Sequence, residues 1–410
     1  MSDRQKPRIA LLHYSAPPTI GGVESTIAAH ARLLADHGYA VKIIAGRGQP
    51  QDARVPLDLA PLMDSRDSRI LEVNHKLASG TIPTDFDAVV SALRDLLEIK
   101  LADVDICIVH NALTLHKNLA LTTALHDLSQ RGVRRFIGWC HDFAWTDPVY
   151  AADLHSGLPW DLLRNPWNGV RYVVVSEQRR RELASLLSLS DRVIQVVPPG
   201  LDLFEFLGVG PMAARWYWEF KLAGAAPLLL LPARVTRRKN IERAIAITAA
   251  LRRQGLAPKL IVMGPLGPHN PANALYLNEL SALRDELGVG EAVILLNEHG
   301  PVDDSTRRDL YLLADVLLFT SEREGFGIPI LEAAAAGLPI FCSDIAPFRE
   351  SAQDWAHYFA PGDSPDFIAE GMARFLQADA RYQLKRRVLR EYTWDRLWAE
   401  RIEPLLAEVW

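Results

Sequence analysis

The chain has 410 residues, 49% of them hydrophobic and 23% charged; that composition is ordinary for a soluble globular enzyme, and the length favours two domains of about 200 residues over one core. A net charge of −5 and a pI near 6.2 argue against non-specific nucleic-acid binding. The 3 cysteines, Cys107, Cys140 and Cys342, are scattered in apolar surroundings and read as reduced core residues of a cytoplasmic protein, not as a disulfide or zinc framework.

The polar N-terminus leads straight into a strand, so no signal peptide is expected. No apolar run approaches the ~20 residues needed to cross a bilayer. Residues 8–13 (Arg-Ile-Ala-Leu-Leu-His) predict that first strand, residues 14–20 a loop, and Gly21-Gly22-Val23-Glu24 the opening of a helix that Gly38 stops. A second strand at 41–45 completes a βαβ unit. The glycine spacing is not that of dinucleotide binding and no suitably placed acid follows, which disfavours a nicotinamide cofactor. A Gly-Gly pair either makes a tight turn or lets backbone lie against a phosphate or sugar. Residues 46–86 are less periodic, with strand-like pieces at 55–62 and 70–73. A helix at 87–99, a strand at 105–109 ending in His110-Asn111, a helix at 119–130 and a strand at 135–140 ending in His141-Asp142 follow. A lone histidine is more often structural, but two at equivalent strand ends point towards a site. Asp142 either orients His141 or caps the next turn.

Residues 145–168 form a long loop carrying Trp145, Tyr150, Trp160 and Trp167, open between an acceptor wall and ordinary aromatic packing. A strand at 171–176, a basic helix at 177–187 and a strand at 193–197 lead to Pro198-Pro199-Gly200-Leu201-Asp202, read as the domain boundary. The basic helix reads as a solvated face in preference to a dock for anionic lipid.

A connecting segment at 203–226 precedes a second strand–helix series that starts with a strand at 227–233. Arg234, Arg237, Arg238 and Lys239 then place four cations within six residues, at a strand's carboxyl end and ahead of a helix at 242–254. A charge run is usually a solvated face; at this place in an open α/β sheet, phosphate binding by Arg234 and Lys239 is preferred. Strands at 259–263, ending at Gly264-Pro265, and at 293–296 alternate with helices at 273–287 and 304–313. An apolar strand at 314–319 then runs into Glu324-Gly325-Phe326-Gly327, with Pro329 in a helix's first turn and Gly337 at its C-terminal cap. The glycines allow close approach of a ligand, and free N–H groups at the helix start suit an anion. Glu324 is open between a solvated loop charge and a ligand contact. Glu332 is open between a first-turn acid that offsets the helix dipole and a ligand contact. A strand at 339–343 and helices at 366–377, 380–391 and 394–409 close the chain.

Glu324-Gly-Phe-Gly-Ile-Pro-Ile-Leu-Glu332, with its two glutamates separated by seven residues, resembles the signature of GT-B-fold retaining glycosyltransferases of family 4, the glycogen-synthase-like group. Gly21-Gly22-Val23-Glu24, His141-Asp142, the boundary at 198–202 and the basic turn at 234–240 are similar to the family's other motifs, in its order, so the likeness covers nearly the whole chain. It implies an α/β architecture of two Rossmann-like open-sheet domains facing each other across a cleft. Residues 1–202 would form the acceptor side, joined by a closing helix at about 394–410, and residues 203–393 would bind the donor.

The same resemblance implies that Gly21 and Gly22 lie against the donor diphosphate or the transferred sugar. Arg234 and Lys239 would pair with the diphosphate, and Arg238 would share that role in a turn richer than the family's Arg-x4-Lys. Glu324 would face the sugar hydroxyls, Gly325, Phe326 and Gly327 would offer backbone, Glu332 would bind the ribose, and His141 would reach the sugar. The nucleobase would lie near Gly264 and residues 296–302. The implied reaction moves a hexose from GDP-mannose or UDP-glucose to a hydroxyl acceptor, whether a sugar, a small solute, a glycan or a lipid-linked glycan. Configuration would be retained, with no permanently bound cofactor and no essential divalent metal. The alternatives are a sugar-nucleotide epimerase or phosphorylase on the same fold, or a non-catalytic nucleotide- or carbohydrate-binding protein.

Overall fold

The structure is a computed structural model that describes residues 6–19, 21–132, 135–267 and 271–410. Residues 1–5, which include most of the polar start, and residue 20, at the end of the first expected loop, lie outside the described residues. The chain divides into two units, Met1–Leu201 with Tyr392–Trp410, and Asp202–Glu391.

The first unit is built on a parallel sheet of seven strands: β1 (Ile9–Ser15), β2 (Val41–Arg47), β3 (Leu57–Leu59), β4 (Ile106–His110), β5 (Arg135–Cys140), β6 (Val170–Val174) and β7 (Ile194–Val196), in the order β3-β2-β1-β4-β5-β6-β7. Buried parallel strands read as near-continuous apolar runs because both faces are covered, and every residue of β1 is buried. Alternate side chains leave a strand on opposite faces. Ala10, Leu12, Cys107 and Val109 therefore join one core, while Ile9, Leu11, Ile106 and Ile108 join another on the far face. That second core also takes in Trp394, Trp398, Ile402, Leu405 and Leu406 from the end of the chain. There the helix opens into a π turn at Trp398–Ile402 before resuming at Glu403–Val409. Pro404 lacks the N–H that an α-helix would need at that point.

The second unit has a parallel sheet of six strands: β8 (Leu228–Leu231), β9 (Lys259–Val262), β10 (Val293–Leu295), β11 (Val316–Phe319), β12 (Ile340–Ser343) and β13 (His357–Phe359), in the order β10-β9-β8-β11-β12-β13. In each sheet the order reverses once, between β1 and β4 and between β8 and β11. Open α/β sheets bind ligands outside the carboxyl ends of the strands at such a switch point.

Two expectations are corrected. Residues 70–73 are helical, within Ser68–Ala78, because the Asp67 carboxylate accepts from the N–H groups of Arg69 (3.0 Å) and Ile70 (3.4 Å) and so caps a helix. Ile70, Val73 and Leu77 are its buried face, at helical spacing. The strand-like piece at 55–62 reduces to three residues of β3 followed by a 3-10 turn at Pro61–Met63. In the aromatic loop, Trp160 and Trp167 are packed inside, and the Trp145 and Trp167 indoles donate to the carbonyls of Trp160 (3.2 Å) and Leu162 (2.9 Å). Packing, for those two buried rings, is the outcome.

Candidate functional site

In the second unit, β8 and β11 are neighbours, so the loops leaving their carboxyl ends run side by side. Hydrogen bonds lace them together: Thr320 Oγ1 donates to the Lys239 carbonyl (3.0 Å), and the Glu322 N–H to the Arg238 carbonyl (2.9 Å). After β8 the chain makes a 3-10 turn at Arg237–Lys239, and Asn240 adopts φ 48° to cap the helix Ile241–Arg253. The turn points Lys239 inward. Its ammonium donates to the Glu324 carboxylate, and both side chains are only 10% exposed. Arg238 adds Nη1 bonds to Glu324 Oε2 (3.1 Å) and to the Arg323 carbonyl (3.0 Å).

Burial raises the Glu324 pKa, but hydrogen bonding to Lys239 and the Arg238 charge outweigh it, so the carboxyl ends below its usual range. Burial lowers Lys239, and the Arg238 and Arg234 charges lower it further, so its pKa falls despite the Glu324 bond. The attraction within the pair is mutual; burial is the main cause of the lysine's fall, and the two arginines nearby add to it. Arg234 is exposed, and among the described residues no carboxylate pairs with it. Arg237 turns the other way, onto Glu279 (2.6 Å) and over the Tyr276 ring (5.0 Å). The structure thus brings Arg238, Lys239 and Glu324 together and takes Arg237 out of the group.

Past Glu324, Gly327 has φ 103° and begins the helix Ile328–Ala335, with Pro329 in its first turn and Gly337, at φ 69°, just past its end. A Cβ on Gly327 would meet the Phe348 ring at 3.0 Å, whereas one on Gly325 would meet nothing within 4 Å. The fold itself therefore requires glycine at 327 and not at 325. Glu332 lies in the second turn of this helix, which has no acid in its first, so the dipole reading is corrected. Its Oε2 accepts from Tyr311 Oη (2.6 Å), and Arg307 Nη2 stands 3.6 Å from Oε1. Sequence reading missed Tyr311 and Arg307. They sit four apart on the helix Asp304–Leu313, and that spacing, which places them on one helical face, was the available signal. Gly264 lies beyond β9, where a Cβ would meet the Ala233 carbonyl oxygen at 2.2 Å. There the ends of β8 and β9 touch backbone to backbone.

In the first unit, Gly21 precedes the helix Gly22–Asp36. A Cβ on Gly21 would meet the Glu24 carboxylate at 2.3 Å, because Glu24 folds back to accept from Ser15 Oγ (2.6 Å); a Cβ on Gly22 would meet nothing within 4 Å. Across the β1/β4 switch point His13 Nδ1 donates to the His110 carbonyl (2.9 Å), and His110 Nδ1 meets His141 Nε2 at 3.2 Å. Asn111, at φ 59°, accepts from the backbone N–H groups of His141 (2.7 Å) and Asp142 (3.2 Å). Asp142 itself turns to Arg179 (3.3 Å) and Asn111 (3.4 Å), so the His141 ring is oriented by His110 and not by Asp142. Burial pushes the His141 imidazole down to about 4 and His30, against the same cluster, down to about 3. These rings are neutral at pH 7, so His141 meets His110 as a hydrogen-bonding group and not as a charge, while His30 packs against the rings of His110 and Trp139. Among the described residues no cluster of His, Cys, Asp or Glu is arranged to hold a metal ion, and no helix is long and apolar enough to cross a membrane.

Two family models match this chain. That of the glycosyl transferases group 1 covers residues 215–393 and that of glycosyltransferase family 4 covers residues 20–204. Among relatives, the serotype-specific mannosyltransferase WbdA of Escherichia coli is 32% identical over 152 residues, 37% of this chain and 17% of WbdA. The uncharacterized glycosyltransferase MJ1607 of Methanocaldococcus jannaschii is 27% identical over 58% of this chain and 60% of its own. The D-inositol 3-phosphate glycosyltransferase of Nocardia farcinica is 29% identical over 45% and 40% respectively. The chain thus spans less than two thirds of each of these relatives. A solved glycosyltransferase from Rickettsia africae ESF-5 aligns over 99% of both chains at 15% identity with a TM-score of 0.39.

Proposed function

The chain belongs to the group 1 glycosyltransferase family, and from that premise we propose that it transfers a hexose from a nucleotide-sugar to a hydroxyl acceptor with retention of configuration. The observation that carries this reading is Arg238 and Lys239 gathered on Glu324 at the β8/β11 switch point, with the Arg234 charge near enough to act on Lys239. Departure of a nucleoside diphosphate leaves negative charge on phosphate and positive charge on the sugar. Cations already held in place act on the developing charge without having to reorganise during the reaction. Arg234, with no carboxylate partner among the described residues, and Lys239 bind the diphosphate, and Arg238 assists. The N–H groups of Gly325 and Phe326, ahead of the helix that Gly327 opens, add to the same charge.

Glu324 has two tasks. It fixes the Lys239 ammonium, and it accepts hydrogen bonds from the donor's sugar hydroxyls. Its carboxylate is already engaged by two cations, which makes it a poor nucleophile, so the reaction has no covalent intermediate. The anomeric carbon–phosphate oxygen bond breaks while the acceptor oxygen bonds the same face. The acceptor's proton passes to the leaving diphosphate. Gly21, Gly22 and a neutral His141 serve the sugar and diphosphate from the first unit, Glu332 binds the ribose, and Gly264 with residues 296–302 borders the base. The donor is GDP-mannose or UDP-glucose; the mannosyltransferase name of the E. coli relative makes GDP-mannose the first to try.

The test is a donor screen by nucleotide release, followed by mass spectrometry of products from an acceptor library. Glu324→Ala, Arg234→Ala and Lys239→Ala are expected to lose transfer and donor hydrolysis alike. Near-normal turnover in all three would overturn the reading, and conversion of the donor without any acceptor would replace it with an epimerase.

A further inference from the structure

We propose that Tyr311 is a positioning residue that holds Glu332 for the donor ribose and so sets the preference for ribose over deoxyribose nucleotides. The inference rests on the function proposed above. Glu332 is partly exposed, at 27% of its side chain, and a glutamate left free there has several rotamers to lose on binding. Tyr311 removes that freedom. Its ring is buried, and its hydroxyl reaches Glu332 Oε2 at 2.6 Å.

An ionised carboxylate only accepts, so the phenol must be the donor. Burial pushes the phenol well above its usual pKa and the neighbouring carboxylate pushes it further, so Tyr311 keeps its proton. The bond takes one lone-pair position on Oε2. Oε1 remains, with Arg307 3.6 Å away. A carboxylate held at one oxygen and open at the other is suited to accept from a ribose hydroxyl, and a site built to bond a hydroxyl penalises the analogue that lacks it.

The same unit supplies a control. Tyr276, also buried, donates to Glu242 and accepts from the Ile241 N–H (3.1 Å). It repeats the tyrosine–glutamate pairing without Glu332. The experiment is titration calorimetry of the full chain with GDP and UDP, then with the 2′-deoxy and 3′-deoxy forms of whichever binds. Wild type is expected to bind one of the deoxy forms about tenfold or more weakly. Tyr311→Phe should reduce that ratio to about threefold or less, and Glu332→Gln should do the same. Tyr276→Phe is expected to lower the melting temperature and leave the ratio intact, which separates positioning from a general loss of packing.

A Tyr311→Phe protein that keeps the wild-type ratio while Glu332→Gln loses it overturns the role of Tyr311 and leaves the proposed function standing. If Glu332→Gln also keeps the ratio, the ribose contact itself is wrong. Binding of neither nucleotide refutes the function first. Should Tyr311→Phe fail to fold, wild type labelled with carbon-13 at tyrosine Cζ gives the answer. One buried tyrosine signal should shift with the ribonucleotide and less with the weaker deoxy form, and no shift overturns the proposal.

Discussion

Lys239 and Glu324 are each 10% exposed and face one another across two loops, so replacing either strands the other. Lys239→Met is expected to cost roughly 1–3 kcal/mol, with Arg238 limiting the loss. Lys239→Met combined with Glu324→Gln should cost less than the two single changes added together, because the pair is coupled. Urea unfolding of the four proteins measures this, and strict additivity would contradict the pairing. His30 makes a prediction of opposite origin. Its folded pKa of about 3 lies below the 6.5 of the free side chain, so between those values the unfolded chain binds more protons and stability falls as pH falls. At pH 5 this amounts to on the order of 2 kcal/mol. His30→Phe should therefore narrow the difference in unfolding free energy between pH 7 and pH 5 by about that amount; an unchanged difference would place the acid sensitivity elsewhere. At this scale the sequence was most legible where residue type and strand end coincided, as at His141 and Lys239. It was least legible for Tyr311, a tyrosine amid apolar neighbours whose partner lies on another helix.

The turn from β11 into the helix Ile328–Ala335 shows how an element can separate folding from function. Gly327 carries the positive φ and abuts Phe348, while Gly325 has open space around it. Gly327→Ala should cost about 1–2 kcal/mol through backbone strain and contact with Phe348. Gly325→Ala should leave thermal unfolding within about 0.5 kcal/mol of wild type, since surface changes away from special features have small effects, yet lower nucleotide release at least tenfold if the donor approaches that backbone. The two glycines look alike in sequence, and only the dihedral angle and the Phe348 contact tell them apart. Legibility also failed at the helix Ser68–Ala78. Ile70 and Val73, apolar and β-branched, suggest strand in a short window, and the deciding signals were the Asp67 cap and the burial of Leu77 seven residues after Ile70.

The two units have separate cores, which gives the whole molecule a testable order of stability. Leu201 pairs with Thr393 in an isolated parallel bridge, its N–H donating to the Tyr392 carbonyl (2.7 Å), and a Cβ on Gly200 would strike the Trp394 ring at 2.5 Å. The final segment then lays Trp394, Leu397, Trp398, Ile402, Leu405 and Leu406 into the core on one face of the first sheet. The apolar periodicity of that segment predicts a helix but cannot say which sheet it covers, because the contacts join residues far apart in the chain. Each such side chain contributes about 1.5–3 kcal/mol when buried, so the six together rival the 5–15 kcal/mol that typically holds a domain folded. Ending the chain at Glu391 should therefore abolish cooperative unfolding of the first unit. The second unit, whose core contains none of these residues, should retain its own transition. Hydrogen exchange on the truncated chain distinguishes the outcomes: protection is expected to vanish in β1, β4 and β5 and persist in β8, β9 and β11. Protected amides in β1 would mean that the rest of the first unit carries its stability without the tail. Gly200→Ala tests the same contact more gently, since it displaces Trp394 and leaves the segment attached, and it should lower the first transition alone.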